Sequence, residues 1–407
     1  MSRWLSIIGI GEDGYSALSP AARTLVENAE LIIGGTRHLA MLPTGAAKHM
    51  SWPSPIHDAV KNLPSHRDKS LCILATGDPF CFGIGRRIAA IIPINEMTVI
   101  PSPSAFSLAC ARLGWSSQDI DTLTLHGRPG PLLEPAIQPN AKLLILAQNS
   151  NTPNEVAEKL IARGYEKSKL TVLECIGGDD ERIRRSLAID WAFNDSNPLN
   201  VVAVECIAGS NPRHLSRLSV LPDEAFQHDG QITKQEVRAA TLAALAPAPG
   251  QLLWDVGAGS GSISIEWMRL DRRSRAIAVE SKADRLKIIA QNAAALGTPE
   301  LEIIGGKAPE VCSGLAKPDA VFIGGGFSNK NVFETCWRAL NPGGVLVANV
   351  VTVESEQVLM FLQQAHGGSL TRIAIARVSA VGTKSGWQPL MPVTQWRVVK
   401  PYADCKT

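Results

Sequence analysis

Residues 252–261 read Leu-Leu-Trp-Asp-Val-Gly-Ala-Gly-Ser-Gly. An apolar run that ends beside an acid and meets three glycines predicts a strand, Leu252–Val256, then a glycine loop, then a helix, Ser262–Leu270. The glycines fall at 257, 259 and 261, and position 262 is serine, so the dinucleotide pattern G-x-G-x-x-G is not met. A dinucleotide sets its pyrophosphate on the helix N-terminus. S-adenosylmethionine has no phosphate and carries instead a sulfonium, an ammonium and a carboxylate. Asp255 at the strand's end suits the cationic part, and Gly257, Gly259 and Gly261 let backbone lie close to a bound molecule. Glu280 closes the next predicted strand, Ala276–Glu280, 25 residues further on, where a carboxylate can accept both ribose hydroxyls. Tight packing of strand on helix would by itself explain Gly257 and Gly261. The coincidence of strand, three glycines, helix and a second acid-ended strand favours a methyl-donor site.

Outward from this loop the second half keeps alternating. A helix is predicted over Thr233–Leu245, broken by Pro247-Ala-Pro-Gly250. Helix Ser281–Leu296 is stopped by Gly297, and strands follow at Leu301–Ile304 and Ala320–Ile323. Helix Asn331–Leu340, strand Val345–Val351, helix Glu354–Gln364 and two β-rich runs, Thr371–Val381 and Thr394–Lys400, complete it. Strand–helix repeats imply a parallel sheet covered on both faces, with the closing β pair as an antiparallel edge. Thr233 and Glu236 have capping-box spacing. Lys234 and Arg238, at i and i+4, are either solvated charges or a clamp for substrate carboxylates.

The first half, Trp4 to Glu205, is also α/β. Strands are predicted at Leu5–Ile10, Leu31–Gly34, Leu71–Ala75, Thr98–Ile100, Leu123–Leu125, Leu143–Leu146, Leu170–Cys175 and Val201–Glu205. Ser19-Pro20 and Thr152-Pro153 open helices, each as an N-cap oxygen followed by proline. The glycine loops Ile7–Gly14 and Leu74–Gly83 lack a P-loop lysine, and Glu12, Asp13 and Asp78 would repel phosphate. With Pro101-Ser-Pro-Ser-Ala-Phe106 they form several strand-end loops around one ligand at the carboxyl edge of a sheet. Gly209–Asp229, rich in turn signals, reads as the inter-domain linker.

Length and composition bound the function. The chain has 407 residues, enough for two or three domains, with 45% hydrophobic and 19% charged residues and a net charge of +2. That charge is too small to steer a polyanion, so no nucleic-acid partner is expected. No apolar run reaches the ~18 residues of a membrane span. Eight scattered cysteines, Cys405 among them, form no C-x-x-C pair and read as thiols in a reducing cytoplasm. No metal site is expected.

The first half resembles the tetrapyrrole methylases of class III fold. The resemblance lies in Gly9-Ile-Gly-Glu-Asp-Gly14, Thr76-Gly-Asp-Pro79, Pro103-Ser-Ala-Phe106, Leu125-His-Gly-Arg128 and Leu173-Glu-Cys-Ile-Gly-Gly-Asp-Asp-Glu181. The second half resembles the class I precorrin methylase/decarboxylase domain. It does so in Asp229-Gly-Gln-Ile-Thr-Lys-Gln-Glu-Val-Arg238, Asp255–Gly261, Gly306-Lys-Ala-Pro-Glu310 and Pro318-Asp-Ala-Val-Phe-Ile-Gly-Gly-Gly326. The order of these motifs across two unlike folds is highly specific. One departure is the first loop, Gly11-Glu-Asp-Gly14, where many members have Gly-Pro-Gly.

The resemblance implies a two-subdomain class III domain over 1–210, a linker over 211–229 and a Rossmann-like class I domain over 230–407. It implies methylation of a precorrin at meso carbons 5 and 15, with loss of carbon dioxide from the ring C acetate, in cobalamin biosynthesis. Carbon 5 falls to the first half, and carbon 15 with decarboxylation to the second. One S-adenosylmethionine is implied per domain, contacting Gly9, Gly11, Gly77, Asp78 and Ser104 in the first. In the second it contacts Thr233, Asp255, Gly257, Gly259, Gly261, Glu280, Gly306 and Ala308. Lys234, Arg238, Asn349 and Lys384 are candidates for holding substrate carboxylates, and a homo-oligomer is implied. The competing readings are a nucleic-acid or other small-molecule methyltransferase and a nucleotide-sensing protein with one degenerate domain. Against the former, the strand-four position reads Ile323-Gly-Gly-Gly-Phe327, not Asn/Asp-Pro-Pro-Tyr/Phe.

Overall fold

Runs of β-branched and leucine residues bounded by turn signals become strands in both halves. The computed structural model describes residues 3–44, 48–218 and 220–402. Its chain divides into two units: Met1–Gly130 with Pro139–Arg213, and Pro131–Gln138 with His214–Thr407.

The first unit holds two five-stranded sheets. One contains β1 (Leu5–Ile10), β2 (Leu31–Gly34), β3 (Lys48–Ser51), β4 (Leu71–Thr76) and β5 (Met97–Ile100) in the order β3-β2-β4-β1-β5. Every pairing in it is parallel. Side chains alternate across the sheet: Leu5, Ile7, Leu31, Ile33 and Ile73 bury on one face, and Ile8, Ile10, Ile32, Cys72 and Leu74 on the other. The other sheet contains β6 (Asp121–Thr124), β7 (Lys142–Leu146), β8 (Lys169–Glu174), β9 (Arg182–Leu187) and β10 (Asn200–Glu205), ordered β6-β7-β10-β8-β9. There β6 and β7 are parallel and the other pairings antiparallel.

Two of these strands carry no readable signal. Lys48–Ser51 is exposed throughout, and Arg182–Leu187 is rich in arginine. Each is an edge strand, held by the pairing its neighbour offers. Ser19 caps helix Pro20–Glu27 as read, its hydroxyl accepting from the Ala22 N–H at 3.3 Å. Thr152 is one residue inside its helix; its hydroxyl accepts from the N–H groups of Gln148 (3.0 Å) and Asn149 (3.2 Å), closing the preceding turn.

The second unit is built on β11 (Leu252–Val256), β12 (Arg275–Glu280), β13 (Glu302–Gly305), β14 (Ala320–Ile323), β15 (Val345–Val350), β16 (Ser369–Ile373), β17 (Ala376–Val381), β18 (Lys384–Pro389) and β19 (Val393–Val399). Seven of them form one sheet in the order β13-β12-β11-β14-β15-β19-β16. The first five are parallel, and β19 runs antiparallel between β15 and β16, the edge that the closing β runs predicted. The run Thr371–Val381 is divided, because β17 leaves the sheet to pair with β18 in a separate ribbon. Leu215, Leu221, Ala225 and Phe226 are buried in this unit's core.

At the start of helix Gln235–Leu245 the structure corrects the sequence reading. The helix begins after Thr233, Lys234 takes the N-cap position in extended backbone, and no side chain caps it, so the capping box does not form. Glu236 instead accepts from Arg377 at 3.0 and 2.6 Å. Arg238 is neither a solvated charge nor a substrate clamp. It is fully buried, with Nε donating to Glu266 Oε1 at 2.7 Å and Nη1 to Asp223 Oδ1 at 3.1 Å. It also donates to the carbonyls of Thr233 and Leu221. Its four partners tie the incoming strap 221–233 to helices Gln235–Leu245 and Ser262–Leu270. Burial pushes the Glu266 carboxyl up to about 7, against the pull of Arg238.

Removing one member of such a network leaves buried charge uncompensated. Arg238→Ala is expected to destabilise the second unit by about 3–5 kcal/mol, read as a lowered urea midpoint. An unchanged midpoint would return Arg238 to a role at the substrate.

Candidate functional site

In the second unit the parallel strands β11 to β15 all end at one edge. The register sets Val256 beside Val279 and Ile323, Glu280 beside Gly305, and Ile323 beside Ala348. Chain order reverses between β11 and β14, the position at which α/β sheets open a crevice. The loop that follows β11 lies there. Gly257, Gly259 and Gly261 all have left-handed backbone, with φ of 76°, 62° and 76°. A Cβ on Gly257 would stand 2.7 Å from the Gly325 N, and one on Gly261 3.0 Å from Ile289. Those two glycines serve close packing. Gly259 differs: nothing lies within 4 Å of where its Cβ would be. It is the open member of the cradle.

Two carboxylates belong to the strands on either side of this loop, Asp255 in β11 and Glu280 at the end of β12. Asp255 is buried, and its Oδ2 accepts from the Ser264 N–H (3.0 Å) and hydroxyl (2.5 Å), while Oδ1 has no partner. Burial, opposed by the Ser264 bonds, raises its carboxyl to about 6. Glu280 Oε2 accepts from the Gly259 N–H at 2.9 Å, and Oε1 from the N–H groups of Ser281 (2.8 Å) and Lys282 (3.0 Å). Glu280 thus ties the glycine loop to the end of the next strand, and Oε2 keeps an acceptor site. Gly306 donates its N–H to the Glu280 carbonyl at 2.9 Å. Ala308 is half-buried nearby in sequence, packed against the core, and Thr233 is half-buried ahead of its helix.

The candidates for substrate carboxylates scatter. Asn349 lies one residue past the Ile323–Ala348 pair, on the carboxyl side of β15; its Nδ2 donates to Thr241 Oγ1 (2.8 Å) and its Oδ1 accepts from Gln395 (3.0 Å). Lys234 is half-buried at its helix start, and Lys384 is exposed on the β17–β18 ribbon. Arg238 is excluded by its ion pairs.

The first unit has its own cleft, of about 670 Å³. Gly11, Gly77, Asp78 and Ser104 line it, from the loops that follow β1, β4 and β5. Gly77 has left-handed backbone (φ 54°), and a Cβ there would also meet the Pro103 carbonyl oxygen at 2.9 Å, so both conformation and contact call for glycine. Ser104 caps helix Ala105–Leu113, accepting from the Ser107 N–H at 3.1 Å. Gly9 does not line the cleft. A Cβ on it would fall 1.9 Å from the Gly77 carbonyl oxygen, so its role is to let two strand-end loops meet. The sequence reading also missed a polar group on the cleft wall. Arg37 pairs with Glu12 and donates to Thr76 Oγ1 at 3.2 Å, and His38 Nε2 lies 2.9 Å from the same oxygen. Burial and Arg37 push the His38 imidazole down to about 4, so it is neutral. Nothing in the spacing of Thr36-Arg-His38 marks it; the parallel register of β2 and β4 brings it to Thr76. Gly325, packed on Gly257, was legible as part of the Gly324–Gly326 run.

Among the described residues, no helix is long and apolar enough to cross a membrane, and no cluster of three His, Cys, Asp or Glu could hold a metal. The seven described cysteines are free thiols, and Cys405 lies outside the described residues.

Comparison with known proteins agrees with this division. The family of tetrapyrrole (corrin/porphyrin) methylases matches residues 5–190, and the precorrin methyltransferase domain matches residues 224–400. A precorrin-6Y C(5,15)-methyltransferase [decarboxylating] of Sinorhizobium sp is 45% identical over 403 residues, spanning 98% of this chain and 97% of that one. A cobalt-precorrin-7 C(5)-methyltransferase of Salmonella typhimurium is 30% identical over 44% of this chain and 88% of its own length. A probable cobalt-precorrin-6B C(15)-methyltransferase (decarboxylating) of Pyrobaculum calidifontis is 33% identical over 42% of this chain and 92% of its own. An acid-flanked glycine cradle without a dinucleotide pattern, a separate strand-end cleft, and kinship over nearly the whole length give one conclusion: the chain is a methyltransferase and belongs to the family of precorrin-6Y C(5,15)-methyltransferases [decarboxylating].

Proposed function

We propose that this chain methylates a precorrin at meso carbons 5 and 15 and decarboxylates its ring C acetate in cobalamin biosynthesis. Carbon 5 is assigned to the domain of residues 1–210, joined by 211–229 to the domain of residues 230–407, which takes carbon 15 and the decarboxylation. The existence of shorter relatives named separately for C(5) and for C(15) supports this division. Free thiols among the described cysteines accord with a reducing cytoplasm. The observation that carries the second site is the open Gly259 position, its N–H held by the Glu280 carboxylate, after a strand whose buried Asp255 keeps Oδ1 without a partner.

One S-adenosylmethionine per domain is part of the proposal. When bound it supplies an electrophilic methyl group on a sulfonium. In the second unit Asp255, Gly257–Gly261, Glu280 and Gly306 would hold it; in the first, Gly11, Gly77, Asp78 and Ser104. A meso carbon between two pyrrole-derived rings is enamine-like and already nucleophilic. The protein's work is therefore approach geometry and exclusion of water more than strong base catalysis. Asp255 and Glu280 place negative charge at a buried edge, which favours a cationic guest over a phosphate. The conjugated imines of the macrocycle can take up the electrons released on decarboxylation. Lys234, Asn349 and Lys384 remain the candidates for holding its carboxylates.

Isothermal titration of the full chain is expected to give two S-adenosylmethionine equivalents. Gly259→Ala, which has room for the methyl group but fills the cradle and strains the left-handed backbone (φ 62°), is expected to abolish one of them and methylation at carbon 15 while carbon 5 is still methylated. Retention of both equivalents in the variant would defeat the assignment. Affinity at the second site should also depend on pH. A cationic ligand favours ionised Asp255, whose pKa in the free protein is raised to about 6. Binding is then full above that pH and weakens as pH falls through it, approaching tenfold per unit. Titrations from pH 8 to 5 should show this slope in the wild type and lose it in Asp255→Asn.

A further inference from the structure

The loop after β4 holds a large aromatic side chain where the backbone would be cheaper with glycine. Phe82 has φ 55°, in the left-handed region that bulky residues avoid. The winding of the loop explains the angle. The Gly85 N–H donates to the Pro79 carbonyl at 2.8 Å, and Cβ atoms on Gly83 or Gly85 would fall 2.5 and 2.7 Å from that oxygen. The chain uses glycine at 83 and 85, where contact demands it, and phenylalanine at 82, where conformation argues against it.

The ring gains little from the protein core. Phe82 is 42% exposed, although it lines the first unit's cleft. Among the described residues its ring partner is the buried Phe106, edge-to-face at 5.9 Å and 77°. Apolar side chains line the same cleft, Trp52, Ile84, Leu108 and Ile176 among them. Strain kept at a cleft, on a half-exposed aromatic, points to a ligand that the ring meets.

We propose that Phe82 is a stacking platform for the tetrapyrrole, a specificity-determining residue that presents the flat, conjugated face of the macrocycle to the Gly77–Asp78 edge. The inference rests on the proposed methylation of a precorrin in the first unit and adds the surface that orients it. A broad π-face suits an aromatic ring clamped from its edge, and the clamp by Phe106 limits the freedom lost on binding.

The test uses the full chain with precorrin-6Y and S-adenosylmethionine carrying a carbon-13 methyl group, so that nuclear magnetic resonance separates the two products. Phe82→Gly removes the ring and relieves the backbone, and Phe82→Leu keeps bulk without a π-face. Both are expected to raise KM for methylation at carbon 5 about tenfold, with kcat within about threefold. Methylation at carbon 15 and both S-adenosylmethionine affinities should be unchanged, and the thermal midpoint of Phe82→Gly should stay within about 3 °C of wild type. Phe82→Tyr should restore KM. A wild-type KM in Phe82→Leu, or a loss of donor affinity matching the rise in KM, would overturn the platform. A wild-type chain that leaves carbon 5 unmethylated would defeat the functional reading itself, a result distinguishable from either.

Discussion

Parallel strands deliver their carboxyl ends to one edge of a sheet, and in this protein that constraint organises everything the chemistry needs. Side chains alternate between the faces and are consumed by packing, as the two buried faces of β1 to β5 illustrate. What remains for a guest is the edge, where backbone leaves each strand. Glycine there is a requirement of distance: Gly257 against Gly325, Gly77 against Pro103 and Gly9 against Gly77 are contacts in which a methyl group has no space. Gly259 alone of the second loop has open space, and it is anchored by the Glu280 carboxylate. One glycine is kept free because its neighbours are not.

Charge is distributed by the same economy. Asp255 and Glu280 reach the edge of the second sheet and keep acceptor capacity there, Asp255 at Oδ1 and Glu280 at Oε2. Asp223 and Glu266 are paired with Arg238, with Arg377 closing on Asp223 from the ribbon. Carboxylates of the first kind can meet a cation, whereas those of the second hold the strap that leads into the domain. Burial alone does not separate the two kinds; the presence of an arginine does.

The first unit reaches a similar edge by another route, with a neutral His38 and a paired Arg37 on the cleft wall. Arg37, His38 and Thr76 bond to one another on that wall, and Phe82 with other apolar side chains lines the rest of the cleft. The two units thus share a constraint, strand ends and close backbone, while differing in topology and in the residues that supply it.

Much of this was legible in the amino-acid order. Leu252–Val256, Ser262–Leu270 and Ala320–Ile323 were read with their observed bounds because periodicity and glycine act locally. The motif glycines were also found, because a strand that ends in glycine is a local event. Edge strands such as Lys48–Ser51 were not, since their pairing is decided by a neighbour far along the chain. Arg238 shows the same limit. Its i, i+4 spacing from Lys234 reads as one helix face, yet Lys234 stands outside the helix as its N-cap, and the guanidinium is turned inward onto Asp223 and Glu266. Sequence by itself determined most of the buried strands and the helices, and which loops are glycine-rich, but not the edge strands. Tertiary structure decided which charges face a guest and which are spent on the fold, because a charge's role depends on partners that the chain brings together only when it closes.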